Sequence, residues 1–435
     1  MSELQSEFIK IQQLQIGMFI ELEMGWMSHP FPKGSFKITS DKQIAVIHGL
    51  GLTRVRYFPS KSDVTQDSLL PEELDFVSGS DVGEAAEAAR KDVAAEVLRL
   101  RLQKSNFLSA QQRSLAVCER RFGAALREHK LIVTQLDSKP HEAMQQSLAL
   151  VNSFVGELQG EGESAIRLLS EGMGDKASMH PVNVTIISLL LGRAMSLSPG
   201  EMVDLGMAAF LHDIGKSQLP DRVRWPEDNF SSAENRMYQE HVSLGVALGQ
   251  RMELTPGALQ AIAQHHEMID GSGFPARLKG LNLSLPSKIL ALVNRYDSLC
   301  NPSRPASAMT PHEALSLIFA QFRSRFDSVV LNAFIRMMGV YPPGSVVQLV
   351  DDRYALVVSI NSSRPLKPRV IVHDPSVSKH EALILDLENC PELGIRRSLK
   401  PVSLPKAAMD YLSPRQRICY FFERAIDPSL SEVSR

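Results

Sequence analysis

The 435-residue chain contains no run of 18 or more apolar residues, so no membrane span is expected. It has no surplus of one charge either. Lys and Arg number 47 against 49 Asp and Glu, and a net charge of −2 gives no general reason to expect a nucleic-acid polymer as partner. Cysteine is scarce. Cys118, Cys300, Cys390 and Cys419 lack metal-type or redox-type spacing and read as free thiols of a reducing cytoplasm. The start of the chain, Met1 to Glu7, is acidic and lacks the apolar core of a signal peptide. What remains is an ordinary globular composition, 44% hydrophobic and 22% charged, long enough for two or three domains in a cytoplasmic protein.

The pattern changes several times along the chain. Residues 1–60 read as a small α+β domain. Phe19 to Glu23 ends in strand-like alternation, and Ser40-Asp41-Lys42-Gln43 is a capping-box pattern opening a helix that stops at Gly49 or Gly51. Thr53 to Tyr57 alternates as a second strand, and Trp26, His29-Pro30-Phe31 and Phe36 are expected in a small core. Residues 61–82 are rich in Pro, Ser and Asp and read as a linker. A helical connector over 83–174 follows, free of proline up to Leu136, with Val93, Val97, Leu100 and Phe107 able to share one face. That face suits either a second copy of the helix or a fold-back onto the same chain. Residues 175–344 carry long apolar-periodic runs, such as Val184 to Met195, and predict an all-helical domain with its own core. Residues 345–375 turn strand-like and predict a small β appendage. Residues 376–435 read as a C-terminal tail with a short helical piece near Arg415 to Arg424.

Chemistry concentrates in the helical domain. Phe210-Leu211-His212-Asp213-Ile214-Gly215-Lys216 is followed by His241, and then by His265-His266-Glu267-Met268-Ile269-Asp270-Gly271-Ser272-Gly273-Phe274-Pro275. Imidazoles with one carboxylate are the ligand set of Zn, Fe or Mn in hydrolytic sites. Adjacent ligand pairs suit neighbouring ions that share a ligand, and two such ions can clamp both oxygens of an in-line displacement at phosphorus. The residues by themselves therefore point to a metal-dependent phosphoesterase.

The order HD-x-G-K, a spaced His, then HHE-x-x-DG-x-G-x-P resembles the HD-GYP family of helical cyclic di-GMP phosphodiesterases, over roughly residues 175 to 345. Gly17-Met18-Phe19-Ile20 and the nearby aromatics resemble an uncharacterised domain that often precedes it. The resemblance implies two divalent transition metals, Fe, Mn, Zn or Ni, held by His180, His212, Asp213, His241, His265 and His266, with Asn294 at a seventh ligand position. It implies Asp213 and Lys216 as catalytic groups, and Lys216, Gly273, Phe274, Pro275 and Arg304 as substrate contacts. Cyclic di-GMP becomes the substrate, pGpG or GMP the product, and diguanylate cyclase (GGDEF) proteins and a homodimer through the 83–136 helix the expected partners.

Four positions depart from the family pattern. Phe274 stands for the Tyr of Gly-Tyr-Pro, keeping the ring and losing the hydroxyl. Asn294 in Val293-Asn294-Arg295-Tyr296-Asp297 stands for a ligand Asp, so the shell loses one negative charge. Lys176 stands where some members carry a Glu for a third metal. Ala306-Ser307 after Arg304-Pro305 lacks the aromatic and second cation of the family motif. The alternative function is a catalytically degenerate regulator that binds cyclic di-GMP or a protein.

Overall fold

The computed structural model describes residues 6–22, 31, 34–50, 52–63, 82–160, 164–170, 176–225, 230–361, 367–390 and 393–424. Two compact units emerge, one of residues 1–112 with 374–383, the other of residues 113–373 with 384–435.

In the first unit, strands β1 (Glu7–Lys10), β2 (Phe19–Glu21), β3 (Ser35–Lys37) and β4 (Arg54–Tyr57) form an antiparallel sheet in the order β1-β4-β2-β3. Helix α1 (Asp41–His48) starts at Ser40, as the sequence predicts, although the Ser40 hydroxyl makes no capping bond. Gln43 instead accepts from the Thr39 N–H at 2.7 Å. The core collects Met18, Ile20, Ile38, Val46, Ile47 and Tyr57. Phe31 is 2% exposed and packs against Phe36, which places these aromatics in the core as expected. Trp26, His29 and Pro30 lie outside the described residues, as does most of the 61–82 segment.

Helix α2 spans Val82–Gln135. Leu98, Leu102 and Phe107 are exposed along it. The side chains of Val93, Val97 and Leu100 lie outside the description.

The second unit joins helices to a sheet. Its helices are α3 (Pro140–Gln159), α4 (Lys176–Ala194), α5 (Pro199–Leu211), α6 (Ser232–Arg251), α7 (Pro256–Gln264), α8 (Leu285–Cys300), α9 (Pro311–Gln321) and α10 (Ser328–Met338). Helix starts are fixed by side-chain caps. Ser198 with Glu201 and Ser231 with Glu234 form capping boxes, and Thr255 and Ser284 cap the helices that follow them. The ligand pairs emerge at the opposite ends of α5 and α7, at His212-Asp213 and His265-His266. Among the described residues no helix is long and apolar enough to cross a membrane.

The β region reaches beyond residues 345–375. Strands β6 (Val346–Leu349), β7 (Tyr354–Asn361) and β8 (Arg369–Val372) are joined by β5 (Ser164–Leu168), β9 (Leu385–Asp386), β10 (Ile395–Leu399) and β11 (Tyr420–Arg424). The antiparallel path runs β10-β6-β7-β5-β11, with β8 on β7 and β9 on β8. The expected helical piece near 415–424 is corrected: α11 lies earlier, at Lys406–Leu412, and 420–424 is a strand. Tyr420, Phe421 and Phe422 are buried there, and β11 pairs along its whole length with β5. Aromatic residues gain more on a half-covered pleated surface than in an exposed helix turn, and a long-range partner decides between the two.

A candidate metal centre

His212 is the C-cap of α5, and Asp213 follows it at φ −100°, ψ 5°. That sparsely populated conformation is common at active sites. The turn after it packs closely on α6. A Cβ at Gly215 would lie 2.0 Å from the His241 carbonyl oxygen and 2.5 Å from the Gly245 nitrogen. Only glycine permits this approach, and it brings Asp213 opposite His241. His265 and His266 leave the end of α7. His180 comes from α4, which packs against α5 and α8 and also meets α3, α10 and β11.

These six side chains form two groups that share one member. Asp213, His241, His265 and His266 have ligand atoms within 4.8 Å of one another, and so do His180, His212 and Asp213. The two carboxylate oxygens divide the work. Oδ2 of Asp213 lies 3.5 Å from His212 Nε2 and 3.7 Å from His180 Nε2. Oδ1 lies 3.6 Å from His241 Nε2 and 3.9 Å from His265 Nε2.

Proton positions on the rings follow from their other bonds. Nδ1 of His212 donates to the Ala209 carbonyl at 2.8 Å, that of His241 to Tyr238 at 2.5 Å, and that of His265 to Ile262 at 2.6 Å. Each ring thus bonds the carbonyl three residues earlier, which fixes the proton on Nδ1 and leaves Nε2 a bare lone pair. Yet Nε2 of His212 faces Nε2 of His180 at 3.2 Å, and Nε2 of His241 faces that of His265 at the same 3.2 Å. Two lone pairs at this separation repel unless a cation lies between them. Two ligands each about 2.0–2.2 Å from one ion sit roughly 3 to 3.5 Å apart. Oδ1 of Asp213 and Nε2 of His266 are buried without a hydrogen-bond partner, a costly state for polar atoms away from water. The donor set, its spacing and its unsatisfied atoms all fit divalent transition metals.

The electrostatics agree. Burial pushes the His212 imidazole down to about 3 and pushes His241, His265 and His266 down as well, so these rings are neutral donors at pH 7. Burial alone would raise the Asp213 carboxyl. Lys216 and then the imidazoles outweigh it and hold Asp213 well below the usual carboxylate range. Nζ of Lys216 bonds Asp213 Oδ2 at 2.6 Å and lies about equally over the rings of Trp225 and Tyr238, at 5.0 and 5.4 Å.

Remaining site candidates fall around this cluster. Phe274 stacks on His266, with centroids 4.4 Å apart and planes at 22°, so the ring kept from the family motif orients a ligand-type imidazole. Glu267, 1% exposed, accepts from the N–H groups of Ala276 and Leu278 at 2.6 and 2.9 Å and pins the glycine-rich loop. A Cβ at Gly273 would meet the His266 carbonyl oxygen and the Met268 nitrogen at 2.5 Å, so the loop closes tightly there. The Phe274-Pro275 peptide is cis. Asn294 is buried on α8, one turn before Asp297, and its Oδ1 accepts from Ser298 at 3.5 Å. Arg304 is exposed on the loop after α8. Lys176 lies at the first residue of α4, with its side chain outside the description.

An HD-domain family model matches residues 148–330, and a domain of unknown function (DUF3391) matches residues 7–147. Cyclic di-GMP phosphodiesterase PA4108 of Pseudomonas aeruginosa is 25% identical over 377 residues, 85% of this chain and 86% of its own length. The chain is similar to HD-domain cyclic di-GMP phosphodiesterases over most of its length. A second relative, the cyclic di-GMP phosphodiesterase response regulator RpfG of Xanthomonas campestris, is 28% identical over 54% of this chain and 58% of its own. A probable cyclic di-GMP phosphodiesterase of Vibrio cholerae is 33% identical over 32% of this chain and 33% of its own. The solved structure of Bd1817, a HDG"Y"P protein from Bdellovibrio bacteriovorus, aligns with a TM-score of 0.43 at 13% identity, covering 76% of this chain and 98% of that one.

Two residues outside the candidate ligand set, Asp297 and Tyr238, also join the site. Asp297 is fully buried, and its Oδ2 meets His180 Nδ1 at 2.6 Å, the carboxylate–histidine pairing that orients a metal ligand. Tyr238 packs against His241 with centroids 4.7 Å apart. Spacing holds a faint signal for both, since Tyr238 stands one helical turn before His241 and Asp297 one turn after Asn294.

Proposed function

We propose that this chain is a metal-dependent phosphodiesterase that hydrolyses cyclic di-GMP to pGpG or GMP, with two divalent ions as cofactors. One observation carries the reading: the two oxygens of Asp213 face two separate imidazole pairs at 3.5–3.9 Å. A carboxylate so placed could help hold two ions, which would supply Lewis acidity toward the attacking and leaving oxygens of a phosphodiester. His180 and His212 would hold one ion, and His241, His265 and His266 the other. Asn294 is kept as a further ligand. Fe, Mn, Zn and Ni all accept such a donor set.

The chain's own residues do the rest. Lys216 keeps a cationic Nζ beside Asp213, close to where charge builds on a phosphoryl oxygen. The Gly273-Phe274-Pro275 loop, pinned by Glu267, and Arg304 are the proposed substrate contacts. Partners belong to the same reading: diguanylate cyclase (GGDEF) proteins, whose product the chain would consume, and a second copy along α2, where Leu98, Leu102 and Phe107 are exposed.

The test is elemental analysis of anaerobically purified full-length protein together with a hydrolysis assay on cyclic di-GMP. 3′3′-cGAMP is the competing substrate, because relatives specific for it also resemble this chain. Near two equivalents of metal with turnover of cyclic di-GMP is the expected result. Two equivalents and tight binding without turnover would transfer the chain to the degenerate-regulator alternative. A chain that takes up no metal overturns the proposal.

A further inference from the structure

We infer that Asn183 and Asn301 are positioning residues that tie the His180 half of the metal centre to the C-terminal strand β11. The inference rests on the metal reading above. It starts from a buried polar network that no family motif includes. Oδ2 of Asp297 holds His180 Nδ1, and Oδ1 accepts from two amides, Asn183 Nδ2 at 3.0 Å and Asn301 Nδ2 at 2.9 Å. The second proton of each amide goes to one and the same carbonyl, that of Ile418, at 2.7 Å from Asn183 and 2.9 Å from Asn301. Both amide oxygens are used too. Asn301 Oδ1 accepts from the Ile418 N–H at 2.8 Å, and Asn183 Oδ1 from the Tyr420 N–H at 3.0 Å. Asn183, Asp297 and Tyr420 are fully buried, and Asn301 is 4% exposed.

Every donor and acceptor of the two amides is therefore satisfied, and both are spent on the same pair of targets: the carboxylate behind His180 and the backbone entering β11. A buried network of this kind fixes one geometry because breaking any bond leaves a polar group unpaired in a low dielectric. Its effect at the site is directional. Asp297 can present Oδ2 to His180 only while its Oδ1 is held by the two amides, and the amides are held by Ile418 and Tyr420. The ring plane of His180, and with it the lone pair aimed at His212, is set from the far end of the chain. The other ligand group, His241, His265 and His266, takes its orientation from carbonyls of its own helices or, for His266, from the Phe274 ring. It has no share in this network.

The two half-sites should accordingly respond differently. Chelator-treated full-length protein and its Asn183→Ala and Asn301→Ala variants are titrated with Mn(II), and bound equivalents are measured. The unaltered chain is expected to take two. Each variant is expected to keep one with parent affinity and to bind the second about tenfold or more weakly, as when outer partners of a ligand histidine are lost. Phe422→Leu, in the same strand but outside the network, is the control for general loosening of β11 and should keep both ions. Thermal melting verifies folding, and Asn301→Ser replaces any alanine variant that fails to fold. Two ions at parent affinity in the Asn variants would overturn the inference, as would loss of the same ion in Phe422→Leu. An unaltered chain that binds no Mn(II) at all would instead sink the metal reading beneath it.

Discussion

Replacing Asp213 by Asn separates the bridging reading from a purely structural one. The change keeps shape and volume. It turns one oxygen that faces an imidazole pair into an N–H₂ group. Whichever way the amide settles, one of the pairs, His180 with His212 or His241 with His265, then faces donors at the 3.5–3.9 Å now separating them from the carboxylate. A donor cannot ligate a cation, so at least one of two ions should be lost. The remaining oxygen is neutral. Lys216, whose Nζ sits 2.6 Å from Asp213 Oδ2 and is only 12% exposed, loses its counter-charge as well. Removing one partner of a buried ion pair costs about 3–5 kcal/mol, although metal-bound neighbours and rearrangement of Lys216 toward Trp225 will reduce this. For turnover, loss of one Lewis-acid centre removes several kcal/mol of transition-state stabilisation. At about 1.4 kcal/mol per tenfold, the rate should fall by roughly two to three orders of magnitude or more. The assay is metal content by elemental analysis alongside initial rates on cyclic di-GMP. A variant that keeps two equivalents and a rate within threefold of the parent refutes the bridging role.

Three further outcomes follow from the same structure. Gly215→Ala places a Cβ 2.0 Å from the His241 carbonyl, so α6 must shift; overpacking of this kind costs about 1–3 kcal/mol, and metal binding to the His241 group should weaken while a chain that melts and binds like the parent contradicts the packing argument. Asn294→Asp adds one negative charge at the expected seventh ligand position and should raise metal affinity or turnover; no change in either places Asn294 away from the ions. The metal-free chain should lose stability as pH falls below about 6.5, because burial holds His212 down at about 3 while the unfolded ring protonates at its ordinary value, so the unfolded state binds the extra proton. Between pH 7 and 5.5 that single ring contributes about 1 kcal/mol of loss, with His241, His265 and His266 adding in the same direction; denaturant midpoints that rise or stay level on acidification would contradict it.

Much of this molecule is legible along the chain. The helices around the site announce themselves through apolar periodicity and Ser or Thr caps, and α7 ends at Gln264 where the His265-His266 pair begins. The ligand residues are recognisable because metal chemistry needs rare residue types in a set order. Glycine at 215 is equally readable as part of HD-x-G, yet its reason is a backbone of α6 that lies 26 residues further on. Tertiary structure alone decided three things. It made 420–424 a strand, since Tyr420-Phe421-Phe422 found β5, some 250 residues earlier, to pair with. It divided the oxygens of Asp213 between two imidazole pairs, a fact of orientation that no spacing encodes. It also joined Asn183, Asp297, Asn301 and Ile418 into one network from three distant segments. Local patterns record what a residue does with its own helix or strand. Which buried amide meets which carboxylate is settled only when long-range packing excludes water and leaves each polar group one partner to take.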